Sequence, residues 1–171
     1  MRGVLLIGGL ALILGGCVTS RPGAHGAPSP AAANAGMVPA PLDSQALMLD
    51  SAVAMLGQPY RFGGAGPGGF DCSGLVVYVA GSAGIRMPRT AQKQLRAGVP
   101  VGRRRIKAGD LVFMHLAHKE LHVGISIDAE RFIHAPSTGG FVRIDSLAAP
   151  PYSTGFFGAR RIVDVAGGPT P

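Results

Sequence analysis

Cys72 lies in a stretch whose residue types suit nucleophilic chemistry. It stands between an aspartate and a serine, directly after the glycine-rich segment 57–69. Thiolate, the reactive form of cysteine, is favoured at a helix N-terminus, where backbone N–H groups and the helix dipole attract an anion. Asp71 is of the residue type that caps helices, which places Cys72 in the first turn of the helix that follows. The stretch therefore predicts a nucleophile, with a small buried hydrophobic residue as the alternative.

A nucleophilic cysteine needs a base, and two downstream histidines have the spacing to supply it. Segment 121–135 has the pattern of a β-hairpin. His122 lies six residues before Asp128 and His134 lies six residues after it. A turn centred there places the two nearly opposite each other on one face, so one imidazole accepts the thiol proton while the other orients it. A two-residue turn at Ala129-Glu130 would shift this register.

The same side chains are also compatible with a metal site. Cys72, His122 and His134 supply three sulfur and nitrogen ligands, the number found in many catalytic zinc sites. Activity that survives a chelator would exclude this alternative. His115 and His118 have no comparable pairing, and we expect them to be loop or strand-end residues.

The order of secondary-structure signals predicts an α+β fold, because helix signals come first and strand signals follow. Capping residues and helical spacing predict helices over residues 43–57, 71–84 and 90–97. Short segments rich in β-branched and aromatic residues predict strands over residues 110–114, 121–127, 131–135, 141–144 and 158–165. This order favours N-terminal helices packed on a central antiparallel β-sheet.

The sequences of the first two helices make two specific predictions. In the first helix, the spacing of the apolar residues predicts a buried face made of Ala46, Leu49, Val53 and Leu56. In the second helix, Gly74 costs about 1 kcal/mol relative to alanine. A glycine at this position is explained if another chain must pass close to the backbone of the helix.

The N-terminus has the pattern of an export signal. Val4–Leu14 is an apolar run of 11 residues, too short to span a bilayer but typical of a signal-peptide core. The sequence LGGC that ends at Cys17 resembles the lipobox of bacterial lipoproteins, which implies removal of residues 1–16 and lipidation of Cys17. Val18, where an aspartate would favour retention in the inner membrane, suggests the outer membrane. An ordinary secretory signal is the alternative.

Composition divides the rest of the chain. Residues 17–42 are rich in Pro, Ala, Gly and Ser, which predicts a flexible linker. Residues 43–165 are predicted to form a folded domain, and residues 166–171 a disordered tail. The formal net charge of +7 favours anionic partners. Nucleic acid is not expected, because the N-terminus predicts export and the basic run Arg103–Arg105 is typical of a solvated loop. If Cys17 carries lipid, Cys72 has no disulfide partner within the chain.

Seven stretches, in order along the chain, resemble the NlpC/P60 family of bacterial cell-wall cysteine peptidases. They are GQPYRFGG (57–64), GFDCSGLVVYV (69–79), MPRTAQKQ (87–94), AGDLVFM (108–114), HVGISI (122–127), FIHAPSTGG (132–140) and GARRI (158–162). Phe62 departs from the tryptophan or tyrosine that is usual in the family, and Ala108 replaces a frequent proline.

The resemblance implies a papain-like α+β fold and a role for each matching residue. Cys72 is expected to be the nucleophile, His122 the general base and His134 the orienting third residue. Tyr60 is expected to complete the oxyanion hole. The remaining substrate-binding candidates are Asp71, Ser73, Arg61 and Arg89.

The implied activity is hydrolysis of an amide bond in peptidoglycan through a thioester, without a metal or organic cofactor. The bond lies either within the stem peptide, between D-glutamate and diaminopimelate, or in the cross-link. We expect a monomer in the cell envelope, anchored by lipid on the periplasmic face of the outer membrane, and an activating protein partner is left open. A lipoprotein that only binds the wall or a partner, and an amidase of related fold, are the alternatives.

Overall fold

A computed structural model describes residues 43–117, 119–137 and 140–162. The predicted signal peptide, the lipidation site, the linker to residue 42, the C-terminal tail and His118 lie outside the described residues. The elements are α1 (Ser44–Ala54), β1 (Ala65–Gly66), β2 (Gly69–Phe70), α2 (Cys72–Ser82), α3 (Ala91–Gln94), β3 (Val99–Val101), β4 (Leu111–Leu116), β5 (Lys119–Ser126), β6 (Arg131–His134), β7 (Arg143–Ser146), α4 (Tyr152–Gly155) and β8 (Phe156–Arg161).

The main sheet has six strands in the order β3-β8-β4-β5-β6-β7, and all of its neighbours are antiparallel. β1 and β2 form a separate small hairpin just before α2. α1 packs on α2, and α2 packs on the central strand β5. The predicted α+β architecture is therefore confirmed. No helix among the described residues is long and apolar enough to cross a membrane.

The core between the helices and the sheet is apolar, and α2 contributes most to the helical side. Leu75, Val76, Val79 and Ala80 of this helix are buried in one apolar cluster with residues of β4 and β5, and the helix packs on β5. The spacing i, i+1, i+4, i+5 is one face of a helix, so burial of these side chains anchors the start of α2 over the sheet.

The buried face of α1 differs from the prediction. α1 buries Met48 and Ala52, whereas Ala46 is exposed and Val53 is 47% exposed. The helix is apolar on more than one side, so spacing alone did not determine which side faces inward. Packing of α1 on α2 does so instead.

Element boundaries differ in a few places. The predicted helix 90–97 shortens to α3, and the predicted strand 141–144 begins and ends two residues later as β7. β3 and the short helix α4 were not predicted. β3 consists of three residues that include Pro100 and forms an edge of the sheet, where a missing N–H is tolerated.

Candidate active site

Cys72 is the first residue of α2, as predicted from its neighbours. Asp71 is the N-cap, and its Oδ1 accepts a hydrogen bond of 2.7 Å from the backbone N–H of Gly74. Cys72 is 4% exposed and lines a cavity of about 620 Å³. The thiol thus combines burial with access to a cavity, at the helix end that favours a negative charge.

The carboxylate of Asp71 is held by five hydrogen bonds. Besides the cap, it accepts bonds from the Gly63 N–H at 3.0 Å and the Ser73 hydroxyl at 3.1 Å. Arg89 donates two more from its guanidinium, at 2.9 and 2.6 Å. Burial raises the pKa of Asp71, but the bonds from Arg89 and Gly74 outweigh it and keep the pKa below its usual value. A guanidinium therefore balances the negative charge next to Cys72.

Other predicted binding residues divide into two groups. Tyr60, Asp71, Ser73 and Arg89 all line the cavity with Cys72. Arg61 is exposed and is not among the lining residues; its N–H pairs with the carbonyl of Phe70. The binding roles of all five remain predictions.

Phe62 and Leu121 line the same cavity. Phe62 is 87% exposed. A large exposed aromatic side chain beside a cavity can contact a bound ligand, whereas it contributes little to folding. Leu121 is buried in β5, directly before His122.

His122 and His134 are brought together on the sheet. His122 lies on β5, the strand against which α2 packs, and His134 ends β6. Both are fully buried, and the Nε2 of His122 lies 2.7 Å from the Nδ1 of His134. The predicted pairing of the two imidazoles is confirmed.

The pairing of β5 with β6 is shifted by two residues from the predicted register. Ile125 pairs with Ile133, which centres the hairpin on Ala129 and places Gly124 opposite His134. His122 is therefore diagonal to His134 and not directly opposite it. A shift of two residues keeps both side chains on the same face, and diagonal neighbours remain within reach of long side chains.

Asp145 extends this pair and was not predicted from the sequence. It lies on β7, and its Oδ2 is 2.8 Å from the Nε2 of His134. The same oxygen accepts hydrogen bonds from the Tyr152 hydroxyl at 2.7 Å and the Arg143 Nε at 2.9 Å. The predicted strand stopped at residue 144. A strand carried two residues further would have placed an aspartate beside the histidine strand.

The zinc alternative fits this arrangement poorly. Both ring nitrogens of His134 are already engaged, one with His122 and the other with Asp145. Across residues 43–117, 119–137 and 140–162, no three His, Cys, Asp or Glu side chains are grouped so as to hold a metal ion. The two histidines are arranged as a hydrogen-bonded chain and not as ligands that converge on one point.

Comparisons with known proteins agree with the fold and the motifs. The murein DD-endopeptidase MepH of Escherichia coli is 39% identical over 121 residues, which are 67% of this chain and 45% of that protein. The gamma-DL-glutamyl hydrolase of Bacillus subtilis is 39% identical over 125 residues, 71% of this chain and 30% of that protein. The chain therefore spans less than half the length of these curated relatives.

A solved structure gives the same result at the level of the domain. The NlpC/p60 domain of the peptidoglycan hydrolase SagA is 31% identical and superposes with a TM-score of 0.61, over 69% of this chain and 98% of that domain. Residues 57–161, which hold Cys72, both histidines and Asp145, match the NlpC/P60 family. The chain belongs to the NlpC/P60 family.

Proposed function

We propose that the chain is a peptidoglycan endopeptidase, a cysteine peptidase in which Cys72 attacks an amide bond. The observation that carries the proposal is the position of Cys72. It begins α2 at the wall of a cavity, and that helix packs on β5, the strand that carries His122 of the buried His122–His134 pair. An inert cysteine would not need this pair of buried imidazoles.

In the first half of the reaction, His122 takes the thiol proton, and the Cys72 sulfur forms a bond to the carbonyl carbon of the substrate. The carbonyl π electrons move onto oxygen, and the oxyanion is stabilised by the Cys72 backbone N–H and the Tyr60 hydroxyl. Such donors typically contribute about 10²–10³ in rate. The C–N bond then breaks, and the leaving amine takes the proton from His122. The product is a thioester on Cys72.

In the second half, water attacks the thioester carbonyl while His122 accepts a proton from it. The C–S bond breaks, the Cys72 thiolate is regenerated, and the released fragment carries a new carboxylate. His134 holds the imidazole of His122 in place in both halves, as the third member of a triad does.

The substrate class follows from the relatives and from charge. MepH is named as a murein DD-endopeptidase, and SagA as a peptidoglycan hydrolase. We infer that this chain acts on peptidoglycan stem peptides or their cross-links. Stem peptides carry free carboxylates, which suit a cavity lined in part by Arg89 and a chain of formal charge +7.

We further propose that the protein is a monomer, anchored by lipid on Cys17 at the periplasmic face of the outer membrane. The lipobox-like LGGC and the apolar run before it support the lipid anchor. Replacement of Cys17 by alanine should move the protein from the detergent phase to the aqueous phase of a Triton X-114 partition. Wild-type protein found in the aqueous phase would contradict the lipid anchor.

The activity is tested on purified sacculi. Wild type should release soluble muropeptides, and Cys72→Ala and His122→Ala should release none above background. His115→Ala is the control, because His115 is an exposed histidine of β4 that packs edge-on to Phe157 and does not line the cavity with Cys72. Wild-type activity should survive EDTA and be lost to iodoacetamide. Equal release of muropeptides by wild type and Cys72→Ala would refute the proposed enzymatic activity.

Mass spectrometry of the released muropeptides identifies the bond. Loss of cross-linked dimers with intact tetrapeptide stems indicates cleavage of the cross-link, as the name of MepH describes. Stems shortened after D-glutamate indicate cleavage between D-glutamate and diaminopimelate. Glycan strands freed of whole stem peptides would indicate an amidase instead.

A further inference from the structure

The side chain of Asp145 connects three different elements around His134. Its Oδ2 accepts hydrogen bonds from His134 on β6, from Tyr152 on α4 and from Arg143 on its own strand. β6 and β7 pair so that Asp145 lies opposite Phe132, two residues from His134 on the same face. The contact therefore follows from the register of the sheet and does not require a special loop.

The hydrogen-bond chain fixes the tautomer of each imidazole. An ionised carboxylate only accepts, so the Nε2 of His134 must donate to Asp145. In neutral His134 the Nδ1 is then an acceptor, and the proton in its 2.7 Å contact with His122 must come from the Nε2 of His122. Neutral His122 consequently keeps its lone pair on Nδ1, the atom that can take a proton from a thiol.

We propose that Asp145 is a positioning residue of this reaction, which sets the tautomers of His134 and His122 and stabilises the imidazolium that forms on His122. This inference rests on the proposed function and extends the Cys–His–His set by a fourth residue. Asp145 does not touch the reacting atoms and acts only through His134.

The surroundings of Asp145 keep its charge in place. Burial raises the pKa of Asp145, but the hydrogen bonds from His134, Tyr152 and Arg143 outweigh this and hold the pKa well below its usual range. These three side chains are the titratable or charged groups that contact it. Asp145 is 23% exposed and Arg143 is 52% exposed, so solvent screens that ion pair and the buried contact to His134 matters more.

A purely structural role predicts a different outcome. If Asp145 only tied β6, β7 and α4 together, its replacement would lower thermal stability without altering the ionisation of Cys72. A positioning role predicts that Cys72 loses reactivity near neutral pH, because its proton is accepted less readily. The pH profile of the thiol therefore separates the two roles.

The test uses the full-length chain and the variants Asp145→Asn, Asp145→Leu and Tyr152→Phe. Asp128→Asn is the matched control, because Asp128 is also an aspartate bonded to an arginine, but in the β5–β6 turn. Alkylation of Cys72 by iodoacetamide is followed from pH 5 to 9 by peptide mass spectrometry, which distinguishes Cys72 from Cys17. Release of muropeptides from sacculi is measured over the same range.

The expected result for Asp145→Asn is a fall in kcat of about 10- to 100-fold, the value of one hydrogen bond to a charged group. KM should change little, and the alkylation profile of Cys72 should move to higher pH. Asp145→Leu, which also removes the acceptor that sets the tautomer, should lose more activity than Asp145→Asn. Tyr152→Phe keeps the ring packed on Phe132 and should lose about threefold to tenfold.

The inference is overturned if the alkylation profiles of Asp145→Asn and Tyr152→Phe superpose on that of wild type, whatever happens to their melting temperatures. Alkylation needs no substrate. A wild type inactive on sacculi would therefore refute the proposed function. A shifted alkylation profile in the Asp145 variants would still support the positioning role of Asp145. If Asp145→Leu does not fold, Asp145→Asn and Tyr152→Phe still decide, because the first keeps the shape of the side chain and the second removes only a hydroxyl.

Discussion

The carbonyl oxygen of Gly64 occupies the space in which a side chain on Gly74 would stand. A Cβ built on Gly74 would overlap that oxygen, and the same carbonyl accepts a 3.0 Å hydrogen bond from the N–H of Asp71. The glycine-rich segment before Cys72 is thus pressed onto the first turn of α2. The close approach expected at Gly74 is thus made by a segment of the same chain.

Replacement of Gly74 by alanine should therefore destabilise the fold and disturb the site. We expect a loss of about 1–3 kcal/mol, typical of overpacking, together with reduced release of muropeptides, because the displaced segment borders the cavity. Gly81→Ala on the same helix is the control. It has nothing within 4 Å of its Cβ position and should stabilise the protein by about 0.5–1 kcal/mol. Urea denaturation of both variants measures the difference, and equal effects would contradict the clash.

Arg89 should tune the reactivity of Cys72 through the charge of Asp71. Its guanidinium makes two hydrogen bonds to that carboxylate, and these, more than the nearby Cys72, raise the pKa of Arg89. In Arg89→Ala the aspartate charge next to the thiol is no longer balanced, so the thiolate is disfavoured. We expect the alkylation rate of Cys72 at pH 7 to fall by about threefold to tenfold.

Arg86→Ala is the matched control for this prediction, because Arg86 is an exposed arginine three residues earlier in the same segment. Alkylation by iodoacetamide, followed at Cys72 by mass spectrometry, gives the rates. Arg86→Ala should alkylate at the wild-type rate. If both variants slow the reaction equally, the effect comes from the overall charge of the chain and not from the pairing of Arg89 with Asp71.

How far the sequence predicted the site depends on whether each contact is local. Cys72 and its cap, Asp71, are adjacent residues with strong local preferences, so the start of α2 could be predicted. The histidine pair required only the alternation of two strands joined by a short turn. Even there, a hairpin centred on Ala129 instead of Asp128 changed the direct partner, though not the face.

The contacts that could not be predicted depend on the pairing of distant segments. Asp145 meets His134 because β7 pairs with β6 across a connection of eight residues, 135–142. The buried face of α1 depends on its packing against α2, as its own sequence is apolar on several sides. Neither relation leaves a periodic signal in one segment of the chain.

Acid should destabilise the fold in part through Asp71. Its pKa is lower in the folded protein than the value of about 3.9 in an unfolded chain, so the unfolded state binds the proton first as pH falls. The resulting stabilisation is complete above pH 4–5 and is lost as pH falls through the lower folded value. Asp71→Asn keeps a good N-cap residue but removes the charge.

Urea denaturation from pH 7 to pH 3 tests this prediction. Asp71→Asn should be less stable than wild type by about 1–2 kcal/mol at pH 7, and the difference should shrink towards pH 3. Asp50→Asn, at an exposed position on α1, serves as the control. Its free energy of unfolding should change with pH as that of wild type does. A difference between Asp71→Asn and wild type that stays constant across the range would show that the charge of Asp71 does not contribute.

Gln94 should hold the segment that carries Arg89 against α2. Its side chain is fully buried, and its Nε2 donates to the carbonyl of Ser73 at 2.9 Å and to that of Pro88 at 2.7 Å. Gln94→Leu keeps a similar volume but leaves both carbonyls without this donor, so we expect a loss of about 1–3 kcal/mol in unfolding free energy. Gln92→Leu, at an exposed position in the same helix, should stay within about 0.5 kcal/mol. If both variants unfold at the same urea concentration, the side chain of Gln94 does not connect the two segments, and Arg89 must be held by its own hydrogen bonds to Asp71 and Ser73.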